Sequence, residues 1–171
     1  MKTSEQQEIF NNWLENHRGV LFKIVRAYAC SATQQDDLFQ EIAIQLWKSV
    51  PKFRGKCKES TWIYRVALFS ATTWKRNDAK HRKGRQEFEE TKHALVQSPT
   101  AGNSRLDWLY EQIHRFDEPD RSITLLMLDR YSYREIAEIV GLSSNAVGVR
   151  INRIKNRLVQ AREEENHLHG P

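Results

Sequence analysis

Three sets of residues in this chain have the types and spacing for chemistry. Asp36, Asp37 and Glu41 bring three carboxylates close together, the donor type that holds a divalent cation in a hydrolase. Asp37 and Glu41 fall one helical turn apart and share a face, but no second cluster of His or Asp accompanies them. The set alone makes a poor metal site, and no metal, cofactor or catalytic residue is expected. Cys57 lies between Lys56 and Lys58. Neighbouring cations can make a thiol reactive, so oxidation there could act as a switch; an incidental small residue is the simpler account. Cys30 is the other cysteine, and the two form no metal-like pair. Free thiols in a reducing cytoplasm are the default. His167 and His169 at the tail do not argue for a metal site.

The third set is made for recognition rather than bond-making. The stretch SYREIAEIVGLSSNAVGVRINRIKNRL covers residues 132–158. Ser132 and Glu135 have the spacing of a capping box, so a helix starts there. Ile136 and Val140 mark its inner face, Ala137 lets a second helix approach, and Gly141 can take the left-handed conformation that ends it. Ser143 or Ser144 then caps a second helix. Val147, Ile151, Ile154 and Leu158 give that helix one buried stripe. Ser144, Asn145, Gly148, Val149, Asn152, Arg153, Lys155 and Asn156 remain toward the outside, with no acid among them. This is the pattern of a helix-turn-helix whose second helix enters the major groove. Asn and Arg can read base edges there, while Arg and Lys also hold phosphates.

The charge distribution agrees. The chain has 171 residues and a formal charge of +5. Residues 75–86 hold six Lys or Arg against one Asp, and residues 144–162 hold five against no acid. Residues 107–120 hold five acids and one Arg. Two basic patches suggest two contacts with an anionic polymer. Hydrophobic residues make up 39% and charged residues 29%, as in a helix-rich soluble protein, and no strand pattern emerges. No signal peptide is visible, and no apolar run approaches the ~20 residues of a membrane helix.

The remaining elements position these patches. One helix is expected from about Ser4 to Ala29, with Ser4 and Gln7 as a capping box and Phe10, Trp13, Leu14, Leu21, Ile24, Val25 and Tyr28 as its stripe. The polar run SATQQ then breaks it. A second helix spans about Asp36–Val50 and stops at Pro51. Leu38, Ile42, Leu46 and Val50 face its core, while Asp37, Gln40, Glu41, Ile44 and Lys48 form an acidic-polar face with an apolar centre. A third helix starts near Ser60 or Thr61 and carries TWIYRVALFSATTWKR, apolar and aromatic almost all round. A single-layer core uses one stripe of a helix, so the other aromatics are candidates for stacking on unpaired bases. Residues 78–104 read as a flexible linker, with a short helix near Gln86–Leu95. From Arg105 the chain is helical again: Leu106, Leu109, Tyr110, Ile113 and Phe116 form a stripe, and DEPD is a turn with a helix start.

DDLFQEIAIQLW (36–47), FRG (53–55), TWIYRVA (61–67), the basic run and the helix-turn-helix, in this order, resemble the bacterial sigma-70 family and its small extracytoplasmic-function group. The resemblance covers nearly the whole chain. It implies an all-α fold of two small helical domains, 1–77 and 105–171, around the linker. It implies a sigma factor that binds core RNA polymerase and promoter DNA, performs no chemistry itself, works in the cytoplasm without membrane insertion, and is a monomer when free. Members of the group are often held by an anti-sigma protein. Asp37, Gln40, Glu41, Ile44 and Lys48 would dock on the polymerase. Arg54, Lys56, Cys57, Lys58, Trp62, Arg65, Phe69, Lys75 and Arg76 would capture the unwound non-template strand of the −10 element. Ser132, Tyr133, Arg134, Ser144, Asn145, Gly148, Val149, Arg150, Asn152, Arg153 and Lys155 would read the −35 duplex. Many relatives have Asn where Phe69 stands and Lys or Arg where Gly148 stands, so neither promoter consensus transfers directly. The competing reading is a dimeric helix-turn-helix regulator, which would not need an aromatic helix beside a basic linker.

Overall fold

The computed structural model describes residues 3–83 and 104–168, with side chains at 3–78 and 104–167. Every regular element among them is a helix. The expected helix near Gln86–Leu95 lies outside the described residues. The chain divides into two compact units, Met1–Gly102 and Asn103–Pro171.

In the first unit the apolar stripe of residues 10–28 is split between α1 (Thr3–Asn16) and α2 (Arg18–Tyr28), where one continuous helix was expected. The break is at His17, whose backbone leaves helical geometry and whose Nε2 lies 3.1 Å from Glu59 Oε1. Hydrogen bonds into and out of His17 carry the chain through the bend. The expected Ser4–Gln7 capping box does not form: Ser4 lies inside α1, and Gln7 instead donates to Asn11.

The next helix, α3 (Ala32–Ser49), begins four residues earlier than the sequence suggests. The supposed breaker SATQQ is its start signal. Ser31 accepts from the Gln34 backbone N–H, and the Gln34 side chain accepts from Ser31, a reciprocal capping box. A 3-10 turn over Val50–Lys52 contains Pro51 and ends the helix. The long helix α4 (Glu59–Lys83) packs on α3 and α2. It continues past residue 77, where the linker was expected to begin. Trp13, Leu21, Ile24, Leu38, Ile42, Leu46, Ile63 and Tyr64 are fully buried between these helices.

The second unit contains α5 (Ser104–Arg115), α6 (Glu118–Leu128), α7 (Tyr133–Val140) and α8 (Ser144–Leu168). Asp117 caps α6 by accepting from the Asp120 N–H, and Pro119 sits in the first turn, where its missing donor costs nothing. Arg121 is buried and ties α6 to the end of α5. It donates to the carbonyls of Ile113, His114 and Phe116 at 3.3, 2.9 and 3.0 Å, at the end of α5, where carbonyls run short of intrahelical donors. Ile123, Leu125, Leu126, Ile136, Val147, Ile151 and Ile154 form the core. The inner face of α7 is Ile136, Ala137 and Ile139, with Val140 only half-buried.

Candidate nucleic-acid and partner interfaces

Because α3 buries Leu38, Ile42 and Leu46, its opposite side must face outward. Asp37, Gln40, Ile44 and Lys48 are exposed there, with Ile44 at 46%. Glu41 is half-buried and accepts from Gln45 Nε2 at 2.8 Å. The sequence reading thus holds as a shared face: an exposed aliphatic residue ringed by carboxylates and amides. It missed a neighbouring feature. Phe22 on α2 and Phe39 on α3 stack with centroids 5.5 Å apart, and Arg18 lies over Phe22. Phe22 stands off the apolar stripe of its helix, and that displacement was the available signal.

The loop between α3 and α4 is anchored at one end. Phe53 packs edge-on against Trp13 and lies 5.8 Å from Trp62. Gly55 then takes φ +67, a left-handed conformation that favours glycine. Arg54, Lys56 and Lys58 are exposed, while Cys57 is half-buried. The aromatics expected on α4 divide into different roles. Trp62 is half-buried and donates through Nε1 to Ser49 Oγ at 3.2 Å, and Trp74 is half-buried. Phe69 is 70% exposed. Arg65 one turn before it and Arg76 two turns after it are also exposed. The result is a cation–aromatic–cation row along one side of α4. Lys75 is drawn elsewhere: its Nζ donates to the Tyr28 carbonyl at 3.3 Å, at the end of α2.

The helix-turn-helix forms on α7 and α8. Ser132 and Glu135 make the expected capping box, so Ser132 serves first as a cap. Gly141 takes φ +73 and ends α7, and Ser143, the first of the two candidate caps, accepts from the Ala146 N–H. Arg134 lies 3.6 Å from Glu138 on the exposed side of α7. Tyr133 lies over Gly148: a Cβ placed on that glycine would sit 3.5 Å from its ring. Ser144, Asn145, Val149, Asn152, Arg153 and Lys155 are exposed, Val149 at 65%, whereas Gly148 and Arg150 are half-buried.

One partner of this helix was missed. Asp120, in the first turn of α6, has a fully buried side chain. Its Oδ1 accepts from Arg150 Nη1 and its Oδ2 from Arg153 Nη2, each at 2.6 Å. Asp117 Oδ2 lies 3.8 Å from Arg150. The hydrogen bond and charge of Asp120 hold the Arg153 guanidinium above its ordinary value. Two arginines expected to meet DNA are therefore also bound within the protein. Asp120 lies about thirty residues upstream of them, outside any local spacing rule. Among the described residues no group of three His, Cys, Asp or Glu could hold a metal ion, and no helix is long and apolar enough to cross a membrane.

Comparison with known proteins follows the same division. The sigma-70 region 2 model matches residues 13–81, and a sigma-70 region 4 model matches residues 106–158. RNA polymerase sigma factor YlaC of Bacillus subtilis is 25% identical over 138 residues, 75% of this chain and 80% of that protein. The extracytoplasmic-function sigma-E factor of Haemophilus influenzae is 24% identical, covering 92% of this chain and 85% of its own. RNA polymerase sigma-H factor of Pseudomonas aeruginosa is 27% identical, covering 86% and 82%. Sigma factor RpoE from Bartonella quintana, solved with the anti-sigma factor NepR, superposes with a TM-score of 0.75 at 16% identity, over 91% of this chain and 98% of that one. CnrH, solved with the cytosolic domain of CnrY, gives 0.66 at 20% identity, over 92% and 90%. At these identities the two structures speak for the all-helical fold.

Proposed function

We propose, from the premise that this chain belongs to the sigma-70 family of RNA polymerase sigma factors and to its extracytoplasmic-function group, how its surfaces divide the work. The protein is a transcription initiation factor and not an enzyme; the polymerase makes the bonds. Core polymerase docks on the outer face of α3 through Asp37, Gln40, Glu41, Ile44 and Lys48. The loop 53–58 and the Arg65–Phe69–Arg76 row of α4 hold the unpaired −10 strand, with the phenyl ring for a base and the cations for its backbone. Lys75, bonded to the Tyr28 carbonyl, is not part of that row. In the second unit α8 reads the −35 duplex. On this reading the working domains are those built from α1–α4 and α5–α8, the first running along α4 to Lys83, beyond the expected boundary at 77, and the protein acts in the cytoplasm.

The observation that carries this reading is the exposed Phe69 between two arginines, on a chain that also holds a helix-turn-helix. A dimeric regulator binds two like duplex half-sites and has no use for a base-stacking row. Promoter melting follows as a population shift, because the row binds the single strand and not the closed duplex. RpoE and CnrH were each solved with a protein partner. An anti-sigma protein covering Ile44 and its polar ring would compete with polymerase for this chain.

The test is transcription by purified bacterial core polymerase, with and without this protein, from a library of randomised promoters. Specific initiation that depends on the protein is expected, and the sequenced products give both promoter elements. DNA binding without initiation would favour the regulator.

A further inference from the structure

The exposed face of α8 is chemically unlike the basic run from which it is built. Successive residues turn by roughly 100° in an α-helix. With Val147, Ile151 and Ile154 buried, Asn145, Val149, Asn152 and Asn156 project from the opposite side, and all four are exposed. That face carries three amides and a pair of methyl groups, and no charge. Arg150 and Arg153 emerge on the flank toward α6, where each guanidinium meets one oxygen of the buried Asp120 carboxylate at 2.6 Å. The carboxylate is itself fixed. The Asp120 N–H donates to the Asp117 cap at 2.9 Å, and the Asp120 carbonyl accepts from Thr124 Oγ1 at 2.6 Å.

Base edges distinguish these two kinds of side chain. Asn makes paired hydrogen bonds to adenine N6 and N7, and an aliphatic group meets the thymine methyl. Arg pairs with guanine O6 and N7. A guanidinium anchored through one N–H to a buried carboxylate keeps its outer N–H groups for a phosphate but loses the reach and rotation to follow a base edge.

We propose that Asp120 is a specificity-determining positioning residue: by holding Arg150 and Arg153 beside the outer face of α8, it leaves base reading to Asn145, Val149 and Asn152 and directs that helix to A·T pairs. The inference rests on the reading of α8 as the −35 helix and adds what that helix reads and what sets it. The arginines then position the helix on the phosphate backbone without reading sequence. Asp120 touches no DNA.

The experiment enriches −35 sequences from randomised duplex, using holoenzyme assembled with the full chain. Wild type is expected to select A·T pairs at the positions facing α8. Asp120→Asn releases the arginines, so G·C should appear at one or two of those positions. In a background of Arg150→Ala with Arg153→Ala, Asp120→Asn should no longer change the selected sequence, whereas a general structural effect would persist. Arg153→Gln tests the same point without disturbing Asp120: it should weaken all sequences alike and leave the preference in place. The proposal is overturned if Asp120→Asn folds and selects the wild-type sequence, if its effect survives loss of both arginines, or if Arg153→Gln alone changes the base preference. A wild-type holoenzyme that selects no −35 sequence at all would overturn the reading of α8, and this inference with it.

Discussion

Truncating Phe69 should separate strand capture from folding. The residue is 70% exposed, so Phe69→Ala removes little that the fold uses. An aromatic side chain buries about 200 Å² when fully enclosed. The enclosed third here is then roughly 60 Å², or about 1.5 kcal/mol at 25 cal/mol per Å². The better helix propensity of alanine returns about 0.5 kcal/mol. The net loss of stability is about 1 kcal/mol at most.

If the ring stacks on an unpaired base, its removal costs about 1–3 kcal/mol of binding, which is roughly 5- to 150-fold in affinity. The assay is fluorescence anisotropy of holoenzyme with a labelled single-stranded −10 oligonucleotide, alongside −35 duplex binding and urea unfolding of the same variant. The single-strand affinity should fall while duplex binding and the unfolding midpoint hardly move. Phe69→Trp should restore binding, since a larger π-face stacks at least as well. A single-strand affinity within twofold of wild type for Phe69→Ala would refute the argument. Equal loss in the tryptophan variant would also refute it, since that would mark a steric site rather than a stacking one.

A lysine placed on the outer face of α3, reversing a charge at Asp37→Lys or adding one at Ile44→Lys, should weaken core polymerase binding tenfold or more while full-chain duplex binding is retained; a competition assay with a reference sigma factor measures it. Arg121→Met should destabilise the second unit by about 2–4 kcal/mol, because three helix-end carbonyls lose a buried charged donor; a change below 1 kcal/mol in urea unfolding would contradict this. Gly148→Ala should stabilise α8 by up to about 1 kcal/mol, because the added Cβ meets the Tyr133 ring at an ordinary 3.5 Å. If the bare glycine also admits the DNA backbone, the same variant binds −35 duplex more weakly, as a titration would show.

Where a signal is local, the sequence made it legible. Ser132, Glu135 and Gly141 declare both ends of α7 within ten residues, and they behave as declared. The excess of aromatics on α4 was equally plain, because one helix cannot bury a ring on every side. Which ring stays outside was not plain. Trp62 finds Ser49 across the loop while Phe69 stays 70% exposed, a distinction that depends on how α3 and α4 pack. SATQQ misled because a polar run with Ser reads as a break, whereas Ser also caps and Gln favours a helix, and only the Ser31–Gln34 geometry decides. The bend at His17 was invisible for a related reason. The apolar stripe continues across it, while the contact that accompanies it comes from Glu59, forty-two residues away.

The basic run of α8 shows why a count of charges is a poor count of contacts. Its five cations over residues 144–162 have no acid among them. In the folded unit Arg150 and Arg153 meet Asp120, Arg157 lies 4.7 Å from the centre of the Phe116 ring, and Arg162 lies 5.9 Å from that of Trp108. Four of the five thus help to seat α8 on the rest of its unit before any DNA arrives. A phosphate must compete with those partners or share the guanidinium with them. That competition makes such arginines suitable for setting the angle and depth of a helix in the groove, since their positions are fixed in advance. It also leaves discrimination to side chains that folding does not employ. On α8 those are Asn145, Val149 and Asn152, and on α4 the corresponding residue is Phe69. In each unit the side chains proposed to read bases are what the fold leaves over, on α8 after its arginines and on α4 after Trp62 have been engaged.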